Sequence, residues 1–152
     1  MKISSHITLK EAVKSNTALR RGIDNTPGEY EISNMVGLAI NVFEPLREYV
    51  CGPIKVTSMF RSKDLNTAIG GSLSSQHCQG RAMDLDDTFG HKTNAQMFNY
   101  IKDNLSFDQL IWEFGDKDNP DWIHVSYVST DQNRGRCLRA EKINNKTNYS
   151  II

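Results

Sequence analysis

The chain has 152 residues, enough to bury a core without a metal or disulfide staple. Hydrophobic residues make up 38% and charged residues 24%, the balance of an ordinary globular protein. Eighteen basic side chains offset eighteen acidic ones, so no global field draws the chain to nucleic acid or to a membrane surface.

The opening Met1-Lys-Ile-Ser-Ser-His6 lacks the apolar run of a secretory signal. No stretch approaches the ~20 apolar residues that span a bilayer. The expectation is synthesis in the cytoplasm, and if the substrate lies outside, something else must carry or release the chain. Thr8 and Glu11 form a capping box that starts a short helix, and Gly22 is the stop signal of a second. Residues 1–27 thus read as an N-terminal helical extension of one domain covering 1–152. From about Gly28 to Val50, Ile32, Met35, Val36, Ala39, Val42, Phe43 and Leu46 recur at helical spacing, and Gly52-Pro53 ends the run. That stripe is a core-facing surface.

Ile54 to Phe60 has the β-branched content of a strand, and Ser62 to Ile69 suits one or two helical turns closed by Gly70-Gly71. Arg81 to Leu85, Leu110 to Phe114 and Trp122 to Tyr127 read as further strands. Asn94 to Leu105 is an amphipathic helix capped by Thr93 or Asn94. Gly115 to Asp121 is a loop. Beyond Arg139 the sequence turns polar, and about 140–152 is expected to be a weakly ordered tail. Helices come first and strands crowd the second half, which predicts an α+β fold with an antiparallel sheet flanked by N-terminal helices. Cys51, Cys78 and Cys137 are an odd set with no Cys-x-x-Cys pair, so neither a disulfide framework nor a thiolate metal site is expected. Cys78 reads as a small packing residue.

Three of the four histidines fall between positions 77 and 124, among many carboxylates. Two neutral imidazoles and one carboxylate are a catalytic zinc set that leaves a fourth position for water, whose pKa the metal lowers toward ~7. His77, Asp84 and His124 are the leading trio, the last two on strands. A strand histidine can equally be a hydrogen-bonded structural residue and Asp84 a cap, and spacing alone does not choose. His6, near the terminus, and His91, in a Gly-His-Lys loop, are not expected to be ligands. Asp86 would serve only if the register slipped.

The wording around these residues carries a resemblance. Ser75-Gln-His77-Cys-Gln-Gly80-Arg-Ala82-Met-Asp84 resembles the Ser-x-His-x-x-Gly-x-Ala-x-Asp signature of zinc D-alanyl-D-alanine carboxypeptidases and L-alanyl-D-glutamate endopeptidases, which share their fold with the Hedgehog signalling domain. Asp121-Trp-Ile-His124 resembles that family's acidic-x-x-His element, and Ser58 to Asn66 its substrate-binding arginine segment. Phe107 to Glu113 is similar to a strand of the phage-associated branch. These elements span roughly residues 28 to 128 in the family's order.

The resemblance implies one Zn2+ held by His77, Asp84 and His124, with Asp121 as general base. Many relatives carry Glu where Asp121 stands. Arg61 would bind a substrate carboxylate or the developing oxyanion. Glu113 is the rival carboxylate, with orientation of a histidine as its expected role. Ser75 would hydrogen-bond near the site or simply cap a turn, and Ser126 would share the strand face of His124 and help bind substrate. The implied activity is hydrolysis of peptidoglycan stem peptides, as an endolysin-type endopeptidase or a carboxypeptidase; the oligomeric state is open, with a monomer favoured. A non-catalytic wall-binding module and a cytosolic D-dipeptidase are the alternatives.

Overall fold

The computed structural model describes residues 1–152. Six strands form one sheet in the order β3-β4-β6-β5-β7-β8. Their ranges are Lys55–Ser58 (β3), Ala82–Asp86 (β4), Gln109–Glu113 (β5), Trp122–Ser126 (β6), Arg136–Ile143 (β7) and Lys146–Ile151 (β8). Strand alternation splits the sheet into two faces with different tasks. Met83, Leu85, Leu110, Trp112, Ile123 and Val125 point into one cluster of 25 buried residues. Asp84, Ile111, Glu113 and His124 occupy the alternate positions and so lie on the other face.

The long helices cover the first face. Helix α3 (Glu29–Leu38) runs without a break through a π-helical turn (Ala39–Phe43) into α4 (Glu44–Val50). Met35, Leu38, Val42, Phe43 and Leu46 are its buried stripe. The long helix expected over 28–50 is present, and Pro45 explains its irregular middle. Proline has no N–H to offer the carbonyl of Asn41, and its ring crowds that carbonyl. The turn widens to relieve this, and Glu44 N–H bonds back to Ala39 O. Helix α5 (Lys63–Ala68) is short, and α6 (Asn94–Asn104), with Thr93 and Gln96 as a capping box, adds Met97, Phe98 and Ile101 to the same core. No helix is long and apolar enough to cross a membrane.

Three expectations are corrected. Residues 1–27 carry both expected short helices, α1 (Leu9–Ala12) and α2 (Asn16–Arg21), but a two-stranded hairpin, β1 (Lys2–Ser4) and β2 (Ile7–Thr8), precedes them. Ile3, Ile7 and Ala12 sit in the main core, and Asn25 ties the segment to the carbonyl of Phe60 and the N–H of Ser62.

The sheet is mixed rather than antiparallel, because β7 runs parallel to β5. The chain leaves β6 beside the start of β5, since Asp108 N–H bonds to Ser126 O, and crosses past that end within residues 127–135. A strand entering from there must run in the direction of β5.

The region 140–152 is not a loose tail. It forms the antiparallel hairpin of β7 and β8, turning at Asn144 and Asn145, whose φ values are 52° and 62°. Two consecutive asparagines that accept left-handed φ are the requirement of a tight two-residue hairpin turn. That signal stands in the sequence. Polarity masks it, because an edge hairpin exposed throughout β8 needs no apolar alternation.

Candidate metal centre

His77 is delivered by a short 3-10 turn, Gln76–Gln79. Ser75 caps that turn, its Oγ accepting from the His77 N–H at 3.3 Å. Gly80 closes it at φ 72°, where an added Cβ would stand 2.3 Å from the Glu31 carbonyl oxygen. Only glycine satisfies both demands. The Arg61 N–H donates to His77 O at 3.2 Å, so the arginine and the histidine share one local frame.

The His77 ring is 2% exposed, and its Nδ1 lies 2.7 Å from Met59 O. A carbonyl can only accept, so Nδ1 carries the proton and Nε2 presents a lone pair. Nε2 is buried with no hydrogen-bond partner. Burial lowers the pKa of this imidazole, against the raising effect of the Asp84 charge, which keeps the ring neutral and fit to ligate.

Asp84 and His124 are direct cross-strand partners on β4 and β6. Asp84 Oδ1 lies 3.0 Å from His124 Nδ1 and 3.4 Å from His77 Nε2. The three candidate ligand atoms fall within 4.8 Å of one another. Burial would raise the Asp84 carboxyl, but its two histidine neighbours, His77 first and then His124, outweigh it and hold it well below the usual range. An ionised carboxylate and two imidazoles, one with an orphaned buried nitrogen aimed at the others, fit a zinc-type ion.

Around the trio lies an open cleft of about 1020 Å³. Arg61 reaches Asp84 Oδ2 at 3.8 Å through one guanidinium nitrogen, while its Nε is buried without a partner. Glu113 also lines the cleft, 8% exposed, and its carboxylate accepts no hydrogen bond from the protein. Burial, together with the Asp84 charge and against that of His124, pushes its pKa up to about 7.

Two expected site residues lie elsewhere. The Asp121 side chain does not line the cleft. It precedes β6 on the parity opposite to His124, its N–H bonds to Glu113 O, and its carbonyl accepts from Asn94 at the start of α6. Ser126 does share the His124 face, but it is fully buried and its hydroxyl bonds to the backbone of Gln109. Ser75 borders the cleft with its oxygen committed to the turn. Tyr149, Arg134 and Arg136 line the cleft and were not expected there. They ride on or beside the terminal hairpin, whose pairing only the Asn-Asn turn announces.

Two histidines and one carboxylate meet on one face of an α+β sheet, with the unpaired Glu113 and the half-buried Arg61 beside them, a donor set that could hold a metal. The chain belongs to the Peptidase M15 family, whose sequence model matches residues 5–126. It is therefore a peptidase by family, with a His77-Asp84-His124 group that could hold a metal. A comparison with curated proteins gives no match.

Proposed function

We propose that this chain is a zinc endopeptidase that hydrolyses peptide bonds in peptidoglycan stem peptides. The observation that carries the reading is the buried, unpartnered Nε2 of His77 in a group of three side chains, His77, Asp84 and His124, whose ligand atoms lie within 4.8 Å of one another inside an open cleft. Those three atoms would hold the ion, which when bound supplies a Lewis acid and a water acidic enough to ionise near neutral pH.

The remaining steps belong to the chain's own side chains. Glu113 is the general base: its carboxylate is unpaired and faces the cleft, and in the metal-free chain burial pushes its pKa up to about 7. It takes a proton from the attacking water and returns it to the leaving amine. This role replaces the one expected of Asp121, whose side chain is not on the cleft. Arg61 offers a fixed positive charge to the carbonyl oxygen as negative charge develops there, or to a neighbouring substrate carboxylate. The likeness of Phe107 to Glu113 to a strand of the phage-associated branch favours a bond within a longer peptide over one at a chain end.

The test is digestion of purified cell walls and defined stem peptides, with products read by mass spectrometry. Hydrolysis that stops with a chelator, returns with zinc and is lost in Glu113→Gln supports the reading. Absence of cleavage across a broad wall panel, or indifference to chelation, overturns it.

A further inference from the structure

The family match ends at residue 126, yet the cleft does not. Its second wall is the β7–β8 hairpin, which contributes Arg136, Leu138 and Tyr149 to the lining. Three arginines border the cleft, and two already have partners. Arg61 faces Asp84, and Arg134 binds both carboxylate oxygens of Asp108. The Arg136 guanidinium has neither an ion pair nor a hydrogen bond, although its backbone N–H is fixed on Asp108 O.

Strand register places this charge relative to the metal trio. His124 pairs with Ile111 on β5, and Arg136 pairs with Gln109, two residues back on the same strand. Two strand spacings and two residues of rise put the Arg136 backbone roughly 12 Å from that of His124. An extended peptide covers about 3.3 Å per residue, so that span corresponds to about three to four residues. Arg61 approaches the trio from the β3–β4 side and Arg136 from the β7 side, with the apolar Ile111 and Leu138 as floor between the trio and Arg136.

We propose that Arg136 is a specificity-determining residue that binds a carboxylate of a peptide substrate a few residues from the scissile bond, making the cleft selective for acidic peptides. This rests on the peptidase reading for its substrate class. The terminal hairpin is then a substrate-recognition wall, and Tyr149, across the hairpin from Ala140 and thus level with Glu113, closes its other end.

A double-mutant cycle tests this with the stem pentapeptide, used with all carboxylates free and with each one converted in turn to the amide. Binding is measured by calorimetry to zinc-loaded Glu113→Gln protein, with and without Arg136→Gln, and cleavage is followed in the corresponding proteins that keep Glu113. Arg136→Gln is expected to weaken binding of the free-acid peptide about tenfold and to raise KM with kcat within about twofold. One amide form should bind the Arg136 protein equally weakly and lose nothing further on Arg136→Gln, and Arg136→Lys should recover part of the loss. Equal weakening of every form, or none, overturns the proposal. Charge-selective binding with no cleavage by the parent protein would leave this proposal standing and overturn the peptidase reading instead.

Discussion

Glu113 shows how position along a strand decides chemistry. It sits at the end of an apolar strand, on the parity that faces the cleft, with no donor to satisfy it. Glu113→Gln keeps the shape and removes the base, so kcat should fall by at least about a hundredfold while zinc affinity changes little. Asp121→Asn, by contrast, should leave kcat within a few-fold, and a kinetic comparison of the two variants separates the rival bases. The raised pKa also has a stability sign. In the unfolded chain this carboxyl ionises near 4.5, and in the fold only near 7. Between those values the unfolded state releases a proton that the folded state retains, so stability falls as pH rises through the window, by on the order of 3 kcal/mol. Metal-free Glu113→Gln should therefore melt higher than the parent protein at pH 8 and nearly level with it at pH 4. A lower melting temperature for the variant at pH 8 would contradict this assignment.

Among the elements, the 3-10 turn that carries His77 depends on the long helix beneath it. Gly80 packs against the Glu31 carbonyl, and Asn34 on α3 donates to Gln79 O at 2.8 Å. Gly80→Ala adds left-handed strain and a clash with backbone, together costing at least about 2 kcal/mol. The helix and turn must part to relieve it, so zinc affinity should drop along with melting temperature, although no ligand has changed. Calorimetric titration of zinc on the variant checks the coupling. Asp108 plays a comparable part at the start of β5, accepting from the N–H and guanidinium of Arg134 and from Gln76 beside His77. Burial would raise its pKa, but the Arg134 and Gln76 hydrogen bonds hold it low. Asp108→Ala should destabilise the fold by about 2 kcal/mol in denaturant unfolding, because it unpairs the crossover and the metal-bearing turn together.

At the scale of the molecule, one face of the sheet is committed to the core and the other to the site. Apart from Arg61 and the His77 turn, the site is assembled by strands that meet only through tertiary pairing. Zinc that binds the folded state alone should raise stability by about 2.7 kcal/mol at a hundred times its Kd. Thermal melts with and without chelator should show this increment, and His77→Ala should abolish it while keeping the metal-free fold. An unchanged melting curve on zinc addition would deny the site its ion.

Local chemistry alone determined much of this protein. The helical stripe of residues 28–50, the capping boxes at Thr8 and Thr93, and β3 to β6 follow from periodicity and caps that act within a few residues. The trio His77, Asp84 and His124 could be named because the residues around it resemble a family signature, where spacing alone did not choose. What the sequence could not decide is whatever depends on which strand lies beside which. On paper Asp121 is the favoured base and Glu113 an orienting partner, and only the pairing of β5 with β6 turns Glu113 toward the cleft and leaves the Asp121 backbone at the mouth of α6. Likewise, the parallel placement of β7 brings Arg136 and Tyr149 to the metal face from a region that reads as polar tail. Caps and periodicities are short-range physics, written in neighbouring residues. The face a side chain meets is settled by long-range pairing, and that exists only once the chain has folded.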